Sequence, residues 1–191
     1  MCIDMNTRVI IKNSGEFNCM NEIYLAGGCF WGMEKVFRAL DGVTETTVGY
    51  ANGTTEHPTY EEVCTDTTGH RETVKVVYDP DRVSLRKILK AYFICIDPKL
   101  QNRQGNDIGS QYQTGIYTTD AESLETVESY AAEERKKHDR FYTEIMPLKH
   151  FWPAEEYHQN YLEKNPNGYC HITTREYELV KQLNQEGDDS E

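Results

Sequence analysis

Apolar residues in this chain recur with two different periods, and the switches between them mark out its elements. Glu22–Ala26 is a short β-prone run that stops at Gly27-Gly28. From Phe30 the period lengthens: Met33, Val36, Phe37 and Leu40 fall on one face of a helix, which Asp41-Gly42 ends. Val43–Ala51, rich in Val and Thr, predicts a second strand closed by Asn52-Gly53. After a loop with Pro58, Tyr60–Cys64 predicts a short helical turn. Glu72–Tyr78 predicts a third strand with Val74, Val76 and Tyr78 on one face, turned by Asp79-Pro80-Asp81. Ser84 then stands as N-cap to a helix carrying Leu85, Ile88, Leu89, Tyr92, Phe93 and Ile96 at helical spacing. A polar loop, Asp97–Gln111, leads to a fourth strand at Tyr112–Thr118 and a third helix at Ala121–Lys137. The charged run Glu133–Arg140 reads as a solvated face.

The order β-α-β-β-α-β predicts an α+β fold with a ferredoxin-like, split β-α-β two-layer core. The last fifty or so residues have weak periodicity and many aromatics, and they predict a coil-rich segment wrapped around that core. Within it Ile145–Lys149 suggests a strand and Glu155–Leu162 a helical turn. Nothing resembles a linker or a repeat, so residues 22–185 form one expected domain. Residues 1–21 are an expected poorly structured leader and residues 186–191 a solvated acidic tail.

Charge narrows the partners. The 191 residues carry a formal net charge of −12 with a pI near 5.0, which repels phosphate backbones and argues against nucleic acid. No apolar run approaches the roughly 18–20 residues that span a bilayer, so no membrane partner is expected. Residues 1–22 also lack the uninterrupted apolar core of a signal peptide. A cytoplasmic monomer is the expectation. Six cysteines, at positions 2, 19, 29, 64, 95 and 170, include no CxxC pair, so neither a zinc ribbon nor a thioredoxin-type motif is present. No metal and no cofactor are expected. Cys64 and Cys95 read as structural, Cys2 and Cys19 as leader thiols.

One cysteine is placed differently. Cys29 lies where a strand ends and a helix begins, so backbone N–H groups and the positive helix end point at its sulfur and favour thiolate. Phe30 and Trp31 beside it would form an apolar wall for a small greasy group. From placement alone, an inert strand-end thiol and a nucleophile stand equal. A tyrosine phosphatase would need Arg where Lys35 stands, and His57, His70, His138, His150, His158 and His171 form no protease signature.

The segment Gly28-Cys29-Phe30-Trp31-Gly32 resembles the signature of the A-type peptide methionine sulfoxide reductases. Further segments resemble that family in the same order: Pro58–Cys64, Thr68–Glu72, Arg103–Tyr112, Ala154–Gln159 and Asn165–Cys170. Together they cover about residues 22–175. The resemblance implies Cys29 as nucleophile, Glu72 as acid, Tyr60 and Tyr112 as phenols holding the sulfoxide oxygen, and Asp107 as orienting group. It implies that Phe30 and Trp31 cage the methyl group and that Cys170 is the recycling thiol. The implied activity is thiol-dependent reduction of methionine S-sulfoxide, free or in oxidised proteins. A Cys29 sulfenic acid would be resolved by Cys170 as a disulfide and recycled by thioredoxin. Glu155 and His158 read as supporting groups rather than catalysts. The chain departs from the family at Ile96, where many members carry His, and at Gln113, where Arg is common; both departures are expected to affect surface recognition. A two-cysteine thiol peroxidase and a methionine-peptide binding module are the alternatives.

Overall fold

The structure, a computed structural model, describes residues 8–11 and 17–187. Its elements in chain order are β1 (Arg8–Ile11), β2 (Phe17–Ala26), α1 (Phe30–Arg38), β3 (Val43–Ala51), α2 (Tyr60–Cys64), β4 (Arg71–Tyr78) and α3 (Leu85–Cys95). The chain continues with β5 (Arg103–Gln104), β6 (Asp107–Ile108), β7 (Gly115–Thr118), α4 (Ala121–Arg135), β8 (Glu144–Pro147), β9 (Phe151–Pro153), α5 (Tyr161–Lys164) and α6 (Thr174–Gln182).

The main sheet runs β8-β7-β2-β4-β3-β9, and β1 pairs with the first half of β2. The four strands expected from the sequence are its adjacent antiparallel centre, β7-β2-β4-β3. The sheet is broader than expected and mixed, because β8 joins β7 in parallel and β9 joins β3 antiparallel. Period-two alternation divides β2 between the two faces: Ile23 and Leu25 belong to the main core, Tyr24 and Ala26 to a smaller cluster behind the sheet. Met33 and Phe37 of α1 and Ile88, Leu89 and Tyr92 of α3 cover the first face, against Val74 and Val76 of β4. Met146, Leu148 and Phe151 cover the second. Behind it, Arg71 reaches across to Glu144 at 2.9 Å, and the Tyr117 hydroxyl donates to the same carboxylate at 2.8 Å.

Several boundaries differ from expectation. The expected unstructured leader of residues 1–21 is strand over Arg8–Ile11 and from Phe17 onward, because β2 runs on past its apolar end to pair with β1. Residues 1–7 and 12–16 of the leader, with the Cys2 thiol, and residues 188–191 of the acidic tail lie outside the described residues. The fourth strand begins at Gly115; Tyr112 instead closes a 3-10 turn, Ser110–Tyr112. The weakly periodic C-terminal segment contains helix α6, set by a capping box in which Thr173 and Glu176 satisfy each other's backbone N–H groups. Gln159 ties this segment to the sheet: its amide accepts from the Val48 N–H and donates to the Val48 carbonyl, each at 2.9 Å. Among the described residues no helix is long and apolar enough to cross a membrane.

Candidate active site

Cys29 is the N-cap of α1, reached through a turn at Gly28, whose φ of +82° disfavours any side chain. Tyr92 holds this turn from below, its buried hydroxyl donating to the Ala26 carbonyl at 2.8 Å. The backbone N–H groups of Trp31 and Gly32 point at the Cys29 sulfur, as the strand-to-helix junction predicts. The thiolate expected from that arrangement is not the resting state. Burial, with the thiol only 7% exposed, pushes its pKa well above the usual thiol range. Negative charge at Glu72 pushes the same way, and the two N–H groups oppose it without prevailing.

Glu72 shares its strand face with Val74 and Val76, so β4 delivers its carboxyl to the core side, beneath the start of α1. There it is 2% exposed and accepts the Phe30 N–H at 3.0 Å. Burial lifts its pKa to about 8, against the pull of the Phe30 N–H and with a smaller upward push from Asp107. At neutral pH Glu72 is therefore mostly a carboxylic acid, with a proton to give.

Tyr60 opens α2, where a Thr59–Glu62 capping box fixes the turn, and its N–H donates to Glu155 at 2.9 Å. Tyr112 ends the 3-10 turn, its N–H donating to the Gly109 carbonyl at 3.1 Å. Burial raises both phenols far above their ordinary range, so both keep their protons. Glu72 is within electrostatic reach of Cys29, Tyr60 and Tyr112, which gathers the expected nucleophile, acid and phenols at one place. The Tyr60 hydroxyl also meets the Cys64 thiol, one helical turn on.

The aromatic wall is graded. Phe30 is fully buried on Tyr50, with ring centres 5.9 Å apart, and serves as floor. Trp31 is half-buried and stacks on Tyr161 at 3.8 Å and 13°. Its indole N–H donates to His158 Nδ1 at 3.1 Å, which leaves the ring proton of a neutral His158 on Nε2, 3.8 Å from Glu155. Burial lowers the His158 pKa and keeps the ring neutral. Glu155 accepts the Tyr50 hydroxyl at 2.9 Å as well as the Tyr60 N–H, so this pair braces both wall and phenol, the supporting part expected of it.

Asp107 sits on β6 in a small hairpin held by Gln104, whose amide bonds both the N–H and the carbonyl of Asp97 at 2.9 Å. One Asp107 oxygen is buried without a partner, and the carboxylate accepts the Tyr169 hydroxyl. Burial and that carboxylate push Tyr169 up to about 12. Gln113 does not serve surface recognition, as its departure from the family suggested. It is buried, accepting from the Asn102 N–H at 2.7 Å and donating to the Tyr142 carbonyl at 2.9 Å. Cys170 is half-buried, its thiol 3.5 Å from the Ile172 carbonyl, and it lies over Gly32 in the first turn after Cys29. Tyr161 and Tyr169, given no role from the sequence, also belong here; Tyr169 precedes Cys170 in its motif, and His171 follows that motif directly. Among the described residues no group of three or more His, Cys, Asp or Glu side chains is placed to hold a metal ion.

Protonated donors and aromatic rings gathered around one thiol suit a substrate that pairs a basic oxygen with a small apolar group. A second thiol within reach suits an oxidation that ends as a disulfide. Fold and site together define a thiol-dependent oxidoreductase. More particularly, the chain belongs to the peptide methionine sulfoxide reductase family, whose model matches residues 21–189. Peptide methionine sulfoxide reductase MsrA of Clostridium acetobutylicum is 55% identical over 154 residues, covering 80% of this chain and 95% of the relative. Mxr1 of Saccharomyces cerevisiae in reduced form superposes with a TM-score of 0.78 at 34% identity, over 86% of this chain and 95% of that one. Mxr1 in complex with Trx2 superposes with a TM-score of 0.54 at 27% identity, over 74% and 84% of the two chains.

Proposed function

We propose that this protein reduces methionine S-sulfoxide, free or in oxidised proteins, with Cys29 as nucleophile and Glu72 as acid. The observation that carries the mechanism is the buried Glu72 carboxyl, held by the Phe30 N–H at the N-terminus of α1 beside the buried Cys29 thiol, where burial favours the protonated form of both. As the Cys29 sulfur closes on the sulfoxide sulfur, charge moves onto the oxygen. Glu72 passes its proton there and takes up the proton of the thiol. The protonated oxygen passes to the Cys29 sulfur: a new S–O bond forms there as the substrate S–O bond and the transient sulfur–sulfur bond break. Methionine departs reduced, and Cys29 is left oxidised as a sulfenic acid. Tyr60 and Tyr112 donate to the same oxygen, and one such preorganised donor is typically worth about 3–4 kcal/mol in the transition state. The Trp31–Tyr161 stack offers the substrate methyl an apolar surface, which a peroxide would not need.

Cys170 then attacks the sulfenic acid, giving a disulfide and water. Recycling by thioredoxin is supported by the relative's complex with Trx2. Thioredoxin and reduced thiols belong to a reducing compartment, so the cytoplasm remains the proposed location. Turnover of racemic methionine sulfoxide with dithiothreitol, followed by chiral chromatography, tests this function. The S epimer should disappear as methionine forms. No methionine, or equal loss of both epimers, overturns it.

A further inference from the structure

His171 is fixed by one ring nitrogen and idle at the other. Its Nε2 lies 2.9 Å from the Gly27 carbonyl, which can only accept, so Nε2 carries the proton and Nδ1 presents a bare lone pair. Nδ1 is buried and has no partner. Its position is telling: a Cβ built on Gly32 would lie 3.1 Å from Nδ1 and 3.2 Å from the Cys170 sulfur. The two atoms thus flank one point over the first turn of α1, on the residue whose own N–H faces the Cys29 sulfur. In the reduced protein the Cys170 thiol is directed at the Ile172 carbonyl, so Nδ1 is the free acceptor beside its route to Cys29.

We infer that His171 is the proton acceptor for Cys170 in the step that resolves the Cys29 sulfenic acid. The Cys170 sulfur attacks the Cys29 sulfur, forming the S–S bond and breaking the S–O bond. The Cys170 proton moves to Nδ1 and from there to the departing hydroxide, which leaves as water. Cys170 sulfur is oxidised, Cys29 sulfur is reduced, and the imidazole returns neutral. Burial lowers the His171 pKa, so the base is available throughout the neutral range. Asp107 and Glu176 are the charged groups acting on the ring, and both favour its transient imidazolium. The inference rests on the reductase function proposed above.

The test is His171→Gln, which keeps a donor for the Gly27 carbonyl but has no basic nitrogen. In single turnover without reductant, methionine release reports the Cys29 step. Loss of the dimedone-trappable sulfenic acid reports resolution. Methionine release should match wild type within about twofold, while resolution at pH 6.5 should slow by about a hundredfold, the usual scale of general base catalysis. Wild-type resolution should be nearly flat from pH 6.5 to 9, whereas the variant should speed up with pH as hydroxide replaces the missing base. Resolution at wild-type rate, or slowed by one constant factor at every pH, overturns the role. If the wild type itself releases no methionine, the reductase function fails instead. Because both rates come from the same molecules, partial misfolding of the variant lowers amplitudes and leaves their ratio readable.

Discussion

At the scale of single residues, burial decides the chemistry of this site. Cys29 and Glu72 both keep protons that water would take from one of them at neutral pH, and desolvation is the leading cause in each case. The acid form of Glu72 is the competent one and its pKa is raised to about 8, so single-turnover methionine formation should fall as pH rises through that value. Glu72→Gln should remove this limb and slow the step by about 10²–10³-fold, read by quenched-flow methionine yield. A limb that survives in the variant would assign it to another group. The residue types were legible in the sequence, and the resemblance implied Glu72 as an acid, but the proton kept by Cys29 was not legible. A strand-to-helix junction says thiolate, and only the packed surroundings show that two N–H groups lose to burial. Gln113 teaches the same lesson: read as a surface departure, it is a buried brace between two loops.

At the scale of elements, the first turn of α1 joins both halves of the cycle, because it presents N–H groups to Cys29 and a bare Cα to Cys170 and His171. Gly32→Ala tests that docking. Helix propensity favours the alanine by up to about 1 kcal/mol, so global stability should barely change. The added methyl, 3.1–3.2 Å from Nδ1 and Sγ, should push the C-terminal segment away and slow disulfide formation, with methionine release intact. Cys170→Ser should go further, completing one turnover and stalling as a sulfenic acid visible by mass spectrometry. Continued thioredoxin-driven cycling by Cys170→Ser would remove Cys170 from the mechanism. The central strands and α1 and α3 were legible because their apolar periods are regular. Helix α6 was not, although Thr173 and Glu176 spell its capping box, because its exposed faces dilute the apolar period. Strand β9 is shorter still and exists through its partner β3, a tertiary contact that no local pattern carries.

At the scale of the whole molecule, the site is drawn from distant stretches: a turn after β2, the start of α2, the start of β4, the loop before β7 and the C-terminal segment. Motif order made those stretches legible as one set, and the sheet explains the gathering, since Glu72 on β4 sits under α1 by strand alternation alone. The contacts of His171 and Tyr169 follow from how the last segment lies, which periodicity does not encode. That segment has a second consequence, at the sheet's margin. Val48 of β3 would present an unpaired N–H beside the end of β9, and the Gln159 amide accepts it. The same amide donates to the Val48 carbonyl, which also takes the Ala154 N–H, and to the Ala154 carbonyl. Gln159→Leu should cost about 1–3 kcal/mol, chiefly for the Val48 N–H left without a partner, measured by urea denaturation. It should also leave an unpaired N–H at the sheet's margin that another chain can pair with, so light scattering during refolding should rise with concentration. One side-chain amide thus guards the protein against the self-association that its own sheet invites.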